Sequence, residues 1–187
     1  MAENLGVHVF SGDQSKTKRL YNSFVRQLRQ LNPQFSLREI ELLESPAETV
    51  SREFLQSRFS QTPKETADLL EASGIILAFP IWNFGAPGVL KNYLDRAILP
   101  GKTFSFGATG LQSALAKKPV QILCVAGGIY DSAQSAPFAQ VTALGHFLGM
   151  KVLEPIFVQG LDLPGANPDW AEIEAQVARN AKMFLEA

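Results

Sequence analysis

The chain has 187 residues, with 17 Lys and Arg against 18 Asp and Glu, and this near balance offers no basic field to a polyanion and argues against nucleic acid as a partner. Its single cysteine excludes a disulfide framework and a cysteine-rich metal site, and no apolar run reaches the ~20 residues that a bilayer-spanning helix needs. The length suits a single domain over residues 1–187, and the opening Met-Ala-Glu-Asn lacks the basic and apolar regions of a signal peptide, so a soluble, cytoplasmic protein is expected.

Residues 5–10 (Leu-Gly-Val-His-Val-Phe) read as a first strand and residues 17–31 as a helix. Residues 35–43, where Phe35, Leu37 and Leu43 alternate only partly with charge, read as an edge strand, and 45–60 as a helical segment with obscure boundaries. Thr62-Pro63-Lys64-Glu65 predicts a capping box with proline at the first helical position, opening a helix over 63–72. The run 75–80 (Ile-Ile-Leu-Ala-Phe-Pro) is almost continuously apolar, as befits a parallel strand covered by helices on both faces. A helix at 88–98, a strand at 119–126, a helix at 137–149 and a strand at 152–158 follow. A last helix at 168–186 is announced by Asn167-Pro168. This alternation predicts an α/β fold, a doubly wound sheet of five parallel strands in three layers.

In such sheets a ligand sits at the carboxyl ends of the strands, where the strand order reverses. Three loops therefore matter. The first, Ser11-Gly12-Asp13-Gln14-Ser15-Lys16-Thr17-Lys18-Arg19, is either a capped helix start with Ser15 as the cap, or a phosphate site built from hydroxyls and free helix N–H groups. Lys16, Lys18 and Arg19 crowd the positive end of the helix dipole, which a bound anion would relieve, so the phosphate reading is preferred. The dinucleotide pattern Gly-x-Gly-x-x-Gly is absent, which points to a terminal phosphate monoester. Gly101-Lys102-Thr103 resembles the end of a triphosphate loop, but Arg96 stands where that motif needs glycine. The second loop, Pro80-Ile81-Trp82-Asn83-Phe84, puts aromatic side chains on a proline-bounded turn. These rings either close a core or cover a flat ligand. The third, Val125-Ala126-Gly127-Gly128, is either a tight turn or a place where main chain approaches a ligand closely. Together the three suit a flat heteroaromatic that carries a phosphate. His8, within a strand, and His146, within a helix, read as structural. Cys124 reads as a small buried hydrophobe, and Asp68, Glu71 and the charges of the last helix read as solvated faces.

Residues 79–95 resemble the flavin-binding turn and following helix of the FMN-dependent NADH azoreductases, a branch of the flavodoxin-like quinone reductases. The resemblance continues through Gly101 to Phe106, Gly110-Leu111, Lys117-Lys118 and Gly127-Gly128-Ile129-Tyr130. It is weaker at residues 147–150 and at Gly160-Leu161. Ser11, Ser15 and Thr17 match that family's phosphate motif. The resemblance implies a flavodoxin-like sheet of order 2-1-3-4-5 and a homodimeric flavoenzyme. It would use FMN and NADH or NADPH to reduce quinones or azo compounds, with both substrates taking turns in one slot. It places Ser11, Ser15, Lys16 and Thr17 at the phosphate, and Pro80, Ile81, Trp82, Asn83 and Phe84 along the isoalloxazine, with Asn83 near its N5. Val125, Ala126, Gly127 and Gly128 fall at the pyrimidine end, and Phe104 and Tyr130 at the substrate cavity. No catalytic side chain and no metal are implied, because the cofactor carries the chemistry. One departure stands out. Where the family usually has Ser-Arg-Gly-Gly, this chain has Val125-Ala126-Gly127-Gly128, which makes a dimeric module that has lost its cofactor an alternative; a free-flavin reductase or an electron carrier is another, the near-neutral charge counting against the carrier.

Overall fold

The computed structural model describes residues 3–130 and 138–187. In chain order its elements are β1 (Asn4–His8), α1 (Lys16–Leu31), β2 (Leu37–Glu41), α2 (Arg52–Ser57), α3 (Lys64–Glu71), β3 (Ile75–Pro80), α4 (Gly88–Ala97), β4 (Phe104–Gly107), β5 (Gly110–Ser113), β6 (Pro119–Val125), α5 (Ala139–Phe147), β7 (Lys151–Val152), β8 (Ile156–Val158) and α6 (Trp170–Leu185). The main sheet has the order β2-β1-β3-β6-β7, and β8 also pairs with β6. All of these pairings are parallel, with Val7 opposite Ile40 and Leu77, and Leu77 opposite Ile122. This is the predicted 2-1-3-4-5 arrangement, its fifth strand divided in two.

The alternation of side chains along a strand builds a separate core on each face of the sheet. Ile75, Leu77 and Phe79 of β3 join Leu69, Leu90, Tyr93, Leu94 and Val141 beneath α3, α4 and α5. Ile76 and Ala78 join Leu20, Phe24, Leu28, Val177 and Phe184 beneath α1 and α6. Every residue of β3 is buried, and each such Ile or Leu contributes about 1.5–3 kcal/mol relative to an exposed position. Gly6 lets α1 lie close to the sheet, since a Cβ there would collide with the Tyr21 hydroxyl.

Several details depart from expectation. The fifth strand breaks at Leu153-Glu154-Pro155, where the Glu154 carbonyl accepts from Asn180 Nδ2 (2.8 Å) and Gln121 Nε2 (3.1 Å), and Pro155 has no N–H to give a ladder. Only Arg52–Ser57 of the 45–60 segment is helical. Pro63, not Thr62, is the cap of α3 and makes no side-chain cap bond. At α6 the cap is Asp169, whose Oδ1 accepts from Ala171 N (3.0 Å) and Glu172 N (3.1 Å), not Asn167. The expected start of the 137–149 helix lies partly outside the described residues. Asp68 is buried rather than solvated, held by Arg38 Nη1 at 2.6 Å and Lys64 Nζ at 3.0 Å. In α6, Glu174 is not merely solvated, because it accepts from Ser23 Oγ (2.5 Å) and Arg26 Nη2 (3.2 Å) and so ties α6 to α1. The hairpin of β4 and β5 was not foreseen. Cys124 is buried and free, and burial pushes its thiol pKa well above the ordinary range.

Candidate functional site

β1, β3 and β6 are neighbours, so the loops that leave their carboxyl ends emerge side by side, ~4.8 Å apart at the strand tips. Beyond β1, Val9 N still donates to Ala78 O (2.9 Å), which keeps the chain beside β3 until it turns at Gly12. Gly12 has φ 109°, a value that side-chain-bearing residues avoid. At the other side of β3, Pro80 stands opposite Val125, and Ile81 N donates to Val125 O (2.8 Å).

The first loop ends in the expected cap: Ser15 Oγ accepts from Lys18 N at 3.3 Å. That bond uses a lone pair and leaves the hydroxyl hydrogen free to donate, and the N–H groups of Lys16 and Thr17, in the first turn, have no acceptor within the helix. No acidic residue lies in this turn. Ser15 and Thr17 are buried, while Ser11 and Lys16 are exposed. Two of the three cations read as crowding this end are engaged elsewhere. Lys18 Nζ pairs with Asp13 Oδ1 (3.2 Å), and the Arg19 guanidinium lies 3.5 Å from the centre of the Trp170 ring. The positive character of the loop therefore rests on the helix dipole and Lys16 more than on a cluster of charges. Glu41 steadies the base of the loop by accepting from Phe10 N (3.3 Å) and pairing with His8 Nδ1 (3.0 Å). His8 itself is buried and stacks on Phe10 with ring centroids 4.1 Å apart.

The second loop is a tight turn closed by two backbone bonds, Trp82 N to Gly85 O (3.0 Å) and Gly85 N to Trp82 O (3.1 Å). Its central residues, Asn83 and Phe84, both have positive φ, 48° and 67°. Asparagine tolerates this region, whereas phenylalanine there is strained by about 1–2 kcal/mol. Pro80 and Ile81 are buried and anchor the turn. Trp82 (41% exposed) and Phe84 (71% exposed) stand out from it. Phe84 meets the Tyr130 ring edge-on at 5.6 Å.

In the third loop Val125 and Ala126 are buried, so this pair presents no side-chain donor. The two glycines differ in a way the sequence does not reveal. A Cβ on Gly127 would sit 2.7 Å from Asp162 Cγ and collide with Oδ2, whereas a Cβ on Gly128 would meet nothing within 4 Å. Only Gly128 thus leaves open space. Segment 160–162 fixes the loop through Gly160 N to Gly128 O (2.9 Å), Leu161 N to Ala126 O (3.1 Å) and Asp162 N to Gly127 O (3.0 Å). Sequence reasoning missed Asp162, and its only signal was the weak match at Gly160-Leu161. Tyr130, whose N–H donates to Gln159 Oε1 (2.9 Å), is brought to the site. Phe104 is grouped instead with Phe106 (6.0 Å) and Phe147 (5.3 Å) at the hairpin. Thr103, from the discarded triphosphate motif, is fully buried and bonds Leu99 N and O.

Among the described residues no three His, Cys, Asp or Glu side chains could share a metal ion, and no helix is long and apolar enough to cross a membrane. The arrangement offers phosphate donors at one end, exposed rings in the middle and open main chain at the other end, which fits a phosphorylated planar ring system such as FMN.

Comparison with known proteins points the same way. The FMN-dependent NADH:quinone oxidoreductase of Cellvibrio japonicus is 29% identical over 187 residues, covering 89% of this chain and 94% of that protein. The FMN-dependent NADH:quinone oxidoreductase of Bordetella petrii is 30% identical over 164 residues, covering 79% and 77%. A crystal structure of an FMN-dependent NADH-azoreductase from Bacillus anthracis in complex with FMN superposes with a TM-score of 0.84 at 16% identity, over 98% of this chain and 99% of that one, a likeness of fold. A family model described as the flavodoxin-like fold matches residues 7–183. With the sheet order found above, the chain belongs to that flavodoxin-like family.

Proposed function

We propose that this chain is an FMN-dependent NAD(P)H oxidoreductase that passes two electrons to quinones or azo compounds, built as a single flavodoxin-like domain over residues 1–187 and working as a cytoplasmic homodimer. The observation that carries this reading is the exposed Trp82 and Phe84 turn standing between a hydroxyl-capped helix start and an open glycine at neighbouring strand ends. The names of the Cellvibrio and Bordetella relatives supply the donor and acceptor classes.

In this reading Ser15, Thr17 and the first-turn amides of α1 hold the phosphate, with Ser11 and Lys16 at its solvent side. Pro80 and Ile81 hold the turn in place, Trp82 and Phe84 flank the ring system, and Asn83 presents its amide close to N5. The carbonyls of Val125, Ala126, Gly127 and Gly128 are already bonded within the fold, so the N–H groups of Gly127 and Gly128 are the ones left for the far edge, with Val125 and Ala126 holding them in place. FMN, when bound, supplies the hydride and electron chemistry, so the protein provides binding, orientation and an apolar surface that NAD(P)H and the acceptor use in turn. Tyr130 narrows that surface from the Phe84 side. Phe106 (73% exposed) and Phe147 (43% exposed), with Phe104 beneath them, form an apolar face suited to a second copy, which would bring Phe104 to the partner's substrate cavity. The lone, buried cysteine suits a reducing compartment.

Quenching of FMN fluorescence tests the site. The unmodified chain is expected to bind FMN, and Ser15→Ala with Thr17→Ala to weaken binding by roughly 100-fold, the loss of two hydrogen bonds to a charged group. Unchanged affinity would refute the phosphate assignment, and no binding at all would favour a module without cofactor. Initial-rate lines with NADH or NADPH against a panel of quinones should be parallel, whereas a ternary-complex pattern would overturn the shared-slot scheme.

A further inference from the structure

Resting on the FMN reading, we infer that Asp162 sets the electron affinity of the bound flavin, holding it low and making the reduced protein a stronger electron donor. The residue that carries this carboxylate is tied to the third loop through its backbone. Its own N–H donates to Gly127 O (3.0 Å), and the two preceding residues bond Gly128 and Ala126. The side chain lies over the Cα of Gly127, in the space a Cβ would take, so glycine is required there by Asp162 and not by the ligand alone. Among the described ion pairs none involves Asp162, and Val125, Ala126, Gly127 and Gly128 carry no cation to balance it. Asp162 is exposed, so the edge of the loop beside Gly127 carries one carboxylate that solvent, and no ion pair among the described residues, screens.

Two-electron reduction with uptake of one proton leaves one extra negative charge on a flavin. A fixed carboxylate near the ring opposes that charge and favours the oxidised form. Near a protein surface, at an effective dielectric of ~20, a single charge pair shifts such a balance on the order of tenfold.

The test replaces the carboxylate by its neutral isostere in the FMN-loaded protein. Asp162→Asn is expected to bind reduced FMN about tenfold more tightly relative to oxidised FMN, a rise of ~30 mV in the two-electron midpoint potential measured against redox dyes. Affinity for oxidised FMN should change much less. Asp162→Ala should show the same rise, which separates charge from shape. A potential unchanged in both variants, with FMN still bound, overturns the role of Asp162 and leaves the cofactor assignment standing. An unmodified chain that binds no FMN overturns both.

Discussion

At the amino end of the sheet Lys118 Nζ donates to the carbonyls of Leu69 (3.1 Å), Leu70 (2.6 Å) and Ala72 (2.6 Å), closing the end of α3. Gly74 is enclosed there by Phe184, Asn4 and Pro119. At the carboxyl end two consecutive residues with side chains sit at positive φ, large rings face outward, and first-turn amides of a 16-residue helix have no partner within it. The amino end nevertheless has a hollow of about 460 Å³ lined by residues such as Asn4, Gln34, Ser36 and Lys117. Its polar groups are largely spent on the fold. The lesson is that strain and unspent hydrogen-bonding capacity locate a ligand site better than the volume of a depression, since a folded chain retains such costs where something else offsets them.

The sharpest way to break this contrast is Lys118→Met. Burial lowers the lysine pKa below its ordinary value, and its ammonium is held by the three carbonyls that accept from it. Removing it is expected to cost about 2–3 kcal/mol in urea unfolding while the FMN affinity of the folded protein stays within about twofold. A large loss of FMN binding would mean that the two ends of the sheet are coupled. A smaller effect is expected at the third loop. Gly127→Ala should cost about 1–2 kcal/mol because the new methyl displaces the Asp162 carboxylate, and about 1 kcal/mol of this should vanish in an Asp162→Ala background. Strict additivity of the two changes would show that the glycine is required for another reason.

The layers and the three loops were legible because each is written in a local run of sequence, whereas the strand order came only with the family resemblance. The apolar stretch of β3 and the turn residues beside it need no distant partner to be recognised. What stayed hidden depends on contacts between remote segments. Asp68 has the sequence surroundings of a surface helix residue, and only Arg38, across on β2, shows why it can be buried. Asp162 acquires its place from Gly127, and Arg19 turns from the phosphate loop because Trp170 begins α6 beside it. The β4 and β5 hairpin escaped notice since its strands are four residues each and mostly exposed, so burial leaves little periodic trace. The break in the fifth strand has one local sign, Pro155, while the rest of it, the capture of the Glu154 carbonyl by the amides of Gln121 and Asn180, lies on other elements.

The mildest test concerns Phe84, and its value lies in how small the stability change should be. Truncating a buried phenylalanine usually costs about 3–5 kcal/mol. At position 84 the ring is largely in solvent, its one aromatic neighbour among the described residues is Tyr130 at 5.6 Å, and the backbone is in a region that glycine enters freely. For Phe84→Gly, relief of about 1–2 kcal/mol of strain is set against about 0.5–1.5 kcal/mol of ring contact and about 0.5–1 kcal/mol of added chain entropy in the unfolded state. These terms nearly cancel, so thermal unfolding of the apoprotein should shift by about 0.5 kcal/mol or less in either direction. FMN affinity should nevertheless fall several-fold, because an aromatic wall of the site is gone. A loss of several kcal/mol in stability would show that Phe84 closes the core of its own subunit, and the strained turn would then have no claim to be a ligand surface.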